Sequence, residues 1–119
     1  MKVKIKLVVF ILDEKTFKYN VLSLDSSNLD LPSIDVEKYQ DLDTTLKHLI
    51  ERYVKVNNDF CIKSKLIDVN ISEQVDIIYY CIIPFNPAVK DSYLLDLEKY
   101  EPISNDIWKV WQALIGKNI

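Results

Sequence analysis

The chain contains few residues of the kinds that carry out chemistry. Its 119 residues include one histidine, His48, one glycine, Gly116, and two cysteines, Cys61 and Cys81. A single glycine excludes a P-loop, a dinucleotide-binding fingerprint and a nucleophile elbow, because each of these needs glycine backbone geometry. A single histidine excludes a histidine-rich zinc site. Each cysteine lies inside an apolar run, a pattern typical of buried and unreactive thiols in a reducing compartment.

The charge balance argues against a nucleic-acid partner. The chain has 15 basic and 18 acidic residues, a net charge of −3, and Arg52 is its only arginine. A protein that coats phosphates normally has a basic excess, and bidentate recognition of bases depends on arginine. No apolar stretch approaches the ~20 residues that span a bilayer, and the apolar run at 7–12 is too short for a signal peptide. We therefore expect a cytoplasmic protein that binds neither nucleic acid nor membrane.

A helix with one charged face contains the first candidate site. Apolar residues recur at a period of 3.6 from Leu42 to Val54, with Asp41 as the predicted N-cap. His48, Arg52 and Lys55 are spaced by four and three residues, which predicts that they share one side of this helix. They are a candidate site for an anionic ligand, such as a nucleotide or phosphorylated metabolite. An ordinary solvated face is the plainer interpretation.

Acidic residues accumulate between positions 25 and 43. A divalent-ion site could draw on Asp35, Glu37 and Asp41 of this stretch, or on Glu37 and Asp41 with Glu51 of the helix, since carboxylate oxygens are the ligands of Mg²⁺. Carboxylates on a loop are seldom held rigidly without partners, so a solvated acidic connection is the simpler interpretation. Lys90 and Asp91, in a later loop, could approach the same cleft.

The hydrophobic pattern predicts a single domain, 1–119, of the α/β (α+β) class with a mixed sheet and helices packed on its faces. The predicted order is a strand at 1–12, a second arm of a hairpin at 17–21, a polar connection at 25–35, the helix, strands at 60–69 and 75–83, a short strand at 93–97 and a last amphipathic helix. The strand at 75–83 is apolar throughout, as expected at the centre of a sheet. Trp108 and Trp111 lie on the last helix, either as core residues or as anchors of a protein interface.

One segment resembles the signature of the Nudix hydrolase family. Leu31-Pro32, Val36-Glu37, Leu42, Leu46, Ile50 and Val56 fall where the apolar framework of that family falls, and the end of the chain also looks like the end of many Nudix domains. The resemblance implies a Nudix-like α/β/α sandwich over nearly the whole chain.

The resemblance also implies where catalytic residues would stand, and the chain lacks them there. In the family, glutamates on the helix bind the divalent cations that hold a diphosphate for attack by water. The two metal-binding glutamates fall on Arg52 and Tyr53. The loop glutamate falls on Gln40, the helical arginine on His48, and the glutamate after that arginine on Leu49. An arginine at a metal-binding position places positive charge where the cation would sit. The signature is therefore degenerate.

These observations predict a catalytically degenerate Nudix-fold protein. We expect it to serve as a protein-interaction or assembly module, with another protein or a second copy as partner, or as a non-hydrolytic ligand-binding domain. We expect no cofactor in either case. The alternative is a hydrolase of a nucleoside diphosphate-linked substrate that uses the non-standard acids Glu37, Asp41 and Glu51 with Mg²⁺ or Mn²⁺.

Overall fold

A mixed sheet of six strands, with one helix on it, is the frame of the described structure. The computed structural model describes residues 2–36, 41–55, 63–85 and 87–96. In chain order the elements are β1 (Val3–Leu12), β2 (Tyr19–Ser23), β3 (Ser33–Asp35), α1 (Leu42–Tyr53), β4 (Val54–Lys55), β5 (Lys65–Ile71), β6 (Val75–Ile83), β7 (Ala88–Val89) and β8 (Tyr93–Asp96).

Strand β1 lies at the centre of the sheet and pairs along both of its sides. One side pairs in parallel with β6 over its whole length, from Val3 opposite Val75 to Ile11 opposite Ile83. The other side is divided, because β3 pairs with its first half and β2 with its last residues, both antiparallel. The strand order is β5-β6-β1-β2-β8, with β3 beside β1, and β4 and β7 form a separate two-stranded ladder.

The two faces of the sheet carry separate apolar clusters. Alternate residues of β1, from Ile5 to Ile11, point to one face and pack with Leu46, Leu49 and Ile50 of α1. The residues between them include Val8 and Phe10, which pack on the opposite face. Because Val8 to Ile11 are fully buried on both faces, a strand in this place must be apolar without interruption.

Helix α1 begins at a well-formed N-cap. The carboxylate of Asp41 accepts hydrogen bonds from the hydroxyl of Thr44 (2.7 Å) and from its backbone N–H (3.3 Å). These bonds hold the pKa of Asp41 below its ordinary value, with the hydroxyl as the larger cause. The helix ends at Tyr53, and Val54 is already extended.

Most of the predicted elements are confirmed. The β1–β2 hairpin, the helix with its Asp41 cap, the strand at 75–83 in the middle of the sheet and the short strand near 93 are all present. The predicted strand at 60–69 is observed from Lys65 to Ile71, and its first residues lie outside the described residues. Trp108 and Trp111 also lie outside them, so the last helix and its place on the sheet stay predictions.

Three short strands were not predicted. β3 lies inside the segment expected to be a polar connection, where Pro32 and Val36 flank it with backbone bonds to Leu7 and Val3 (2.9 Å each). β4 and β7 have two residues each. Within the described residues, no helix is both long and apolar enough to cross a membrane.

The hydroxyl of Ser23 organises the loop that connects β2 to β3. Ser23 is fully buried. Its Oγ donates to the carbonyl oxygen of Asp25 (2.7 Å) and accepts from the backbone N–H groups of Asp25 (3.2 Å) and Asp30 (3.0 Å). The Ser23 hydroxyl thus provides hydrogen-bond partners for backbone groups of the loop, and these groups would otherwise lack them.

The turn between β1 and β2 holds Phe17 in an unfavourable conformation. Asp13 and Lys18 close the turn through a backbone bond of 2.8 Å. Phe17 has a φ of 57°, in the left-handed region that suits glycine or asparagine. Its side chain is 79% exposed. The turn therefore keeps a strained backbone and presents a large apolar ring to solvent.

We expect Ser23→Ala to lower the free energy of unfolding by about 1 kcal/mol, because the substitution removes a buried hydroxyl that bonds partly buried backbone groups of the loop. Denaturant titration of the two proteins measures the difference. Ser27→Ala, in the same loop but exposed, is the matched control and should change the stability little. An equal effect of both substitutions would show that the buried hydroxyl has no special role.

We expect Phe17→Asn to raise the free energy of unfolding by about 1 kcal/mol, because asparagine tolerates the left-handed conformation. Phe17→Ala is the control, since it removes the ring and keeps a residue that is strained at this φ. Denaturant titration of the three proteins separates the two effects. If alanine stabilised the chain as much as asparagine, exposure of the ring and not backbone strain would be the cause.

Candidate functional site

The end of α1 brings several basic side chains to the surface. His48 and Arg52 are exposed and stand one helical turn apart, while Leu49 and Ile50 between them are buried. The prediction that Lys55 shares the same helix side is wrong, because α1 ends at Tyr53 and Lys55 belongs to β4. The reason is the extended conformation at Val54, which ends the helix one residue before Lys55.

The β4–β7 ladder adds a fourth basic residue, Lys90. Val54 pairs with Val89, Lys55 pairs with Ala88, and the backbone N–H of Lys90 donates to the carbonyl oxygen of Tyr53 (2.7 Å). Val54 and Val89 pack into the core, whereas Lys55 and Lys90 are exposed. Sequence reasoning could not place Lys90, because only the pairing of two remote two-residue strands brings it to the helix.

His48, Arg52, Lys55 and Lys90, here termed the basic group, make no ion pair among the described residues. Elsewhere in that part of the chain, Lys6 and Asp76 form an ion pair on the sheet, with Nζ and Oδ2 at 3.4 Å. A helix C-terminus carries partial negative charge, which favours cations nearby. The arrangement can hold an anion, although these side chains are exposed to solvent and so attract it weakly.

The acids proposed for a metal site are not brought together. Asp41 stands at the N-terminal end of α1, and its carboxylate caps the helix. Glu51 is exposed near the other end, about 15 Å further along at 1.5 Å per residue. Glu37 lies outside the described residues. Within 2–36, 41–55, 63–85 and 87–96, no three potential ligands of the histidine, cysteine or acidic types form a group that could hold a metal.

Two of the three helix positions at which the Nudix resemblance places carboxylates hold side chains that pack against the core. Leu49 is 0% exposed and packs in the cluster beneath the helix. Tyr53 is partly buried against the same cluster. As the apolar stripe predicts, these two side chains serve packing, and only Arg52 remains at the surface.

The thiol of Cys81 is unsuited to nucleophilic chemistry. It is fully buried within the helix-side cluster on β6. Burial raises the pKa of Cys81 from 9.0 to about 12, because the thiolate would lose its hydration. The prediction of a buried, inert cysteine is confirmed at this position, and Cys61 lies outside the described residues.

An exposed row of apolar side chains on β5 was not predicted as a site. Leu66, Val69 and Ile71 lie opposite Tyr79, Ile77 and Val75 of β6, and so share the sheet face that α1 covers elsewhere. They are 55%, 42% and 72% exposed. These three residues are termed the apolar row. Leu66 and Val69 are three residues apart, not two, because the β5–β6 pairing is irregular between Leu66 and Asp68. A search for strict alternation along the sequence would therefore not place Leu66 on the same face as Val69 and Ile71.

Comparison with known proteins shows similarity of structure and not of sequence. The chain matches no family model and no curated protein sequence. Among solved structures, it is similar to the C-terminal domain of mouse MUTYH in complex with human PCNA (TM-score 0.64, 16% identity, covering 99% of this chain and 90% of that one). It is also similar to the NUDIX domain of Shewanella oneidensis NrtR complexed with ADP ribose (0.61, 14%, 98% and 88%). A third similar structure is a C. elegans Ap4A hydrolase in a binary complex (0.54, 14%, 98% and 99%).

We expect Cys81 to react with a thiol reagent only when the chain unfolds. A Cys61→Ser variant makes Cys81 the single thiol, and Ellman's reagent with and without denaturant measures its reactivity. Between about pH 9 and pH 12 the unfolded chain loses the thiol proton and the folded chain keeps it, so the free energy of unfolding should fall as pH rises. Rapid reaction of the folded variant at neutral pH would contradict the burial.

Proposed function

Since the chain has a Nudix-like fold, we propose that it works as a non-catalytic domain that acts by binding a protein partner. The observation that carries the proposal is the packing of Tyr53 against the core, beside the fully buried Leu49, with Arg52 at the other position where the resemblance places a metal-binding glutamate. Metal-dependent cleavage of a diphosphate needs carboxylates presented together to the cation. At the two positions where the resemblance places them, α1 has the partly buried Tyr53 and the exposed Arg52, and neither side chain offers a carboxylate.

The sheet surface supports a protein as the partner. The apolar row and Phe17 together expose large hydrophobic side chains at two places on the described surface. Contiguous exposed apolar groups are uncommon on monomeric proteins and often mark interaction surfaces. One of the similar structures is a complex between two proteins. Trp108 and Trp111 stay further candidates for the interface, since they lie outside the described residues.

A second candidate function is the binding of a nucleotide or phosphorylated metabolite without cleavage. It is favoured by the hydrogen bond between Lys90 and Tyr53, which adds a basic residue to His48, Arg52 and Lys55 at the end of α1. Another of the similar structures has ADP ribose bound. In this function the basic group would contact the phosphates, and no metal would be needed.

The remaining alternative is a metal-dependent hydrolase of a nucleoside diphosphate-linked substrate. It would need Glu37, or another acid outside the described residues, to complete a site with Mg²⁺ or Mn²⁺. Asp41 and Glu51 alone are too far apart along the helix to bind one ion. We therefore expect neither a cofactor nor a metal requirement.

A thermal-shift screen of nucleotides and phosphorylated metabolites, with Mg²⁺ or Mn²⁺ and then with EDTA, separates these functions. We expect no metal-dependent stabilisation and no release of phosphate-containing products from any compound. Ligand present at 100 times Kd would add about 2.7 kcal/mol of apparent stability, which such a screen detects. Metal-dependent turnover that is lost in Glu37→Gln or Glu51→Gln would overturn the non-catalytic proposal.

Any metal-independent stabilisation tests the second candidate. Arg52→Glu should abolish it, because the substitution reverses a charge within the basic group. Lys47→Glu makes the same type of charge change at an exposed position of the same helix and should retain most of the binding. Equal losses in the two variants would indicate general charge attraction and not a site formed by the basic group.

A further inference from the structure

We draw no further inference here: the strongest candidate, the apolar row on β5, is an exposed face of the sheet, and nothing in the structure shows what covers it.

Discussion

The double burial of β1 is the constraint on which the rest of the structure depends. Val8 to Ile11 are fully buried, and β1 pairs along both sides with β6, β2 and β3. One face of β1 is covered by α1, and the apolar side chains that α1 packs against it are Leu46, Leu49 and Ile50. Because Leu49 is fully buried there, its position cannot present a side chain to a ligand. The apolar stripe of α1 therefore accounts for the burial of Leu49 and for the packing of Tyr53 against the core.

The described surface offers two kinds of contact that differ physically. The basic group at the end of α1 presents exposed charges whose attraction for an anion is screened by water and salt. The apolar row and Phe17 present hydrophobic area, whose removal from water is favourable in proportion to the area buried. Around these surfaces the fold is one that similar structures use in different ways, since one is in complex with a protein and another has ADP ribose bound.

Elements with a strong local pattern could be predicted from the sequence. The period of 3.6 predicted α1, and the continuous apolar run predicted β6, which lies inside the sheet between β5 and the central strand β1. β3, β4 and β7 could not be predicted, because two or three residues contain no period and form only by pairing with remote segments. The left-handed backbone conformation of Phe17 could not be predicted from the sequence for a different reason. Such positions are normally revealed by glycine, and the only glycine of this chain is Gly116.

For the candidate site, residue types were more informative than positions. The sequence indicated that Leu49 and Tyr53 stand where carboxylates would be needed, and their burial agrees with the apolar stripe. The sequence could not indicate that Lys55 lies beyond the end of α1 or that Lys90 lies beside that end, since both positions follow from the β4–β7 ladder. The apolar row was obscured by the irregular pairing of β5.

The parallel pairing of β1 with β6 also determines when the protein can fold. Val3 pairs with Val75 and Ile11 with Ile83, so most of the chain lies between the two partners. Contacts between such distant segments form slowly, because the loop between them must close first. During synthesis, the apolar β1 emerges from the ribosome long before β6 has been made. Until then the side of β1 that pairs with β6 is open, although β2, β3 and α1 have already been made, and such an unpaired apolar edge favours aggregation.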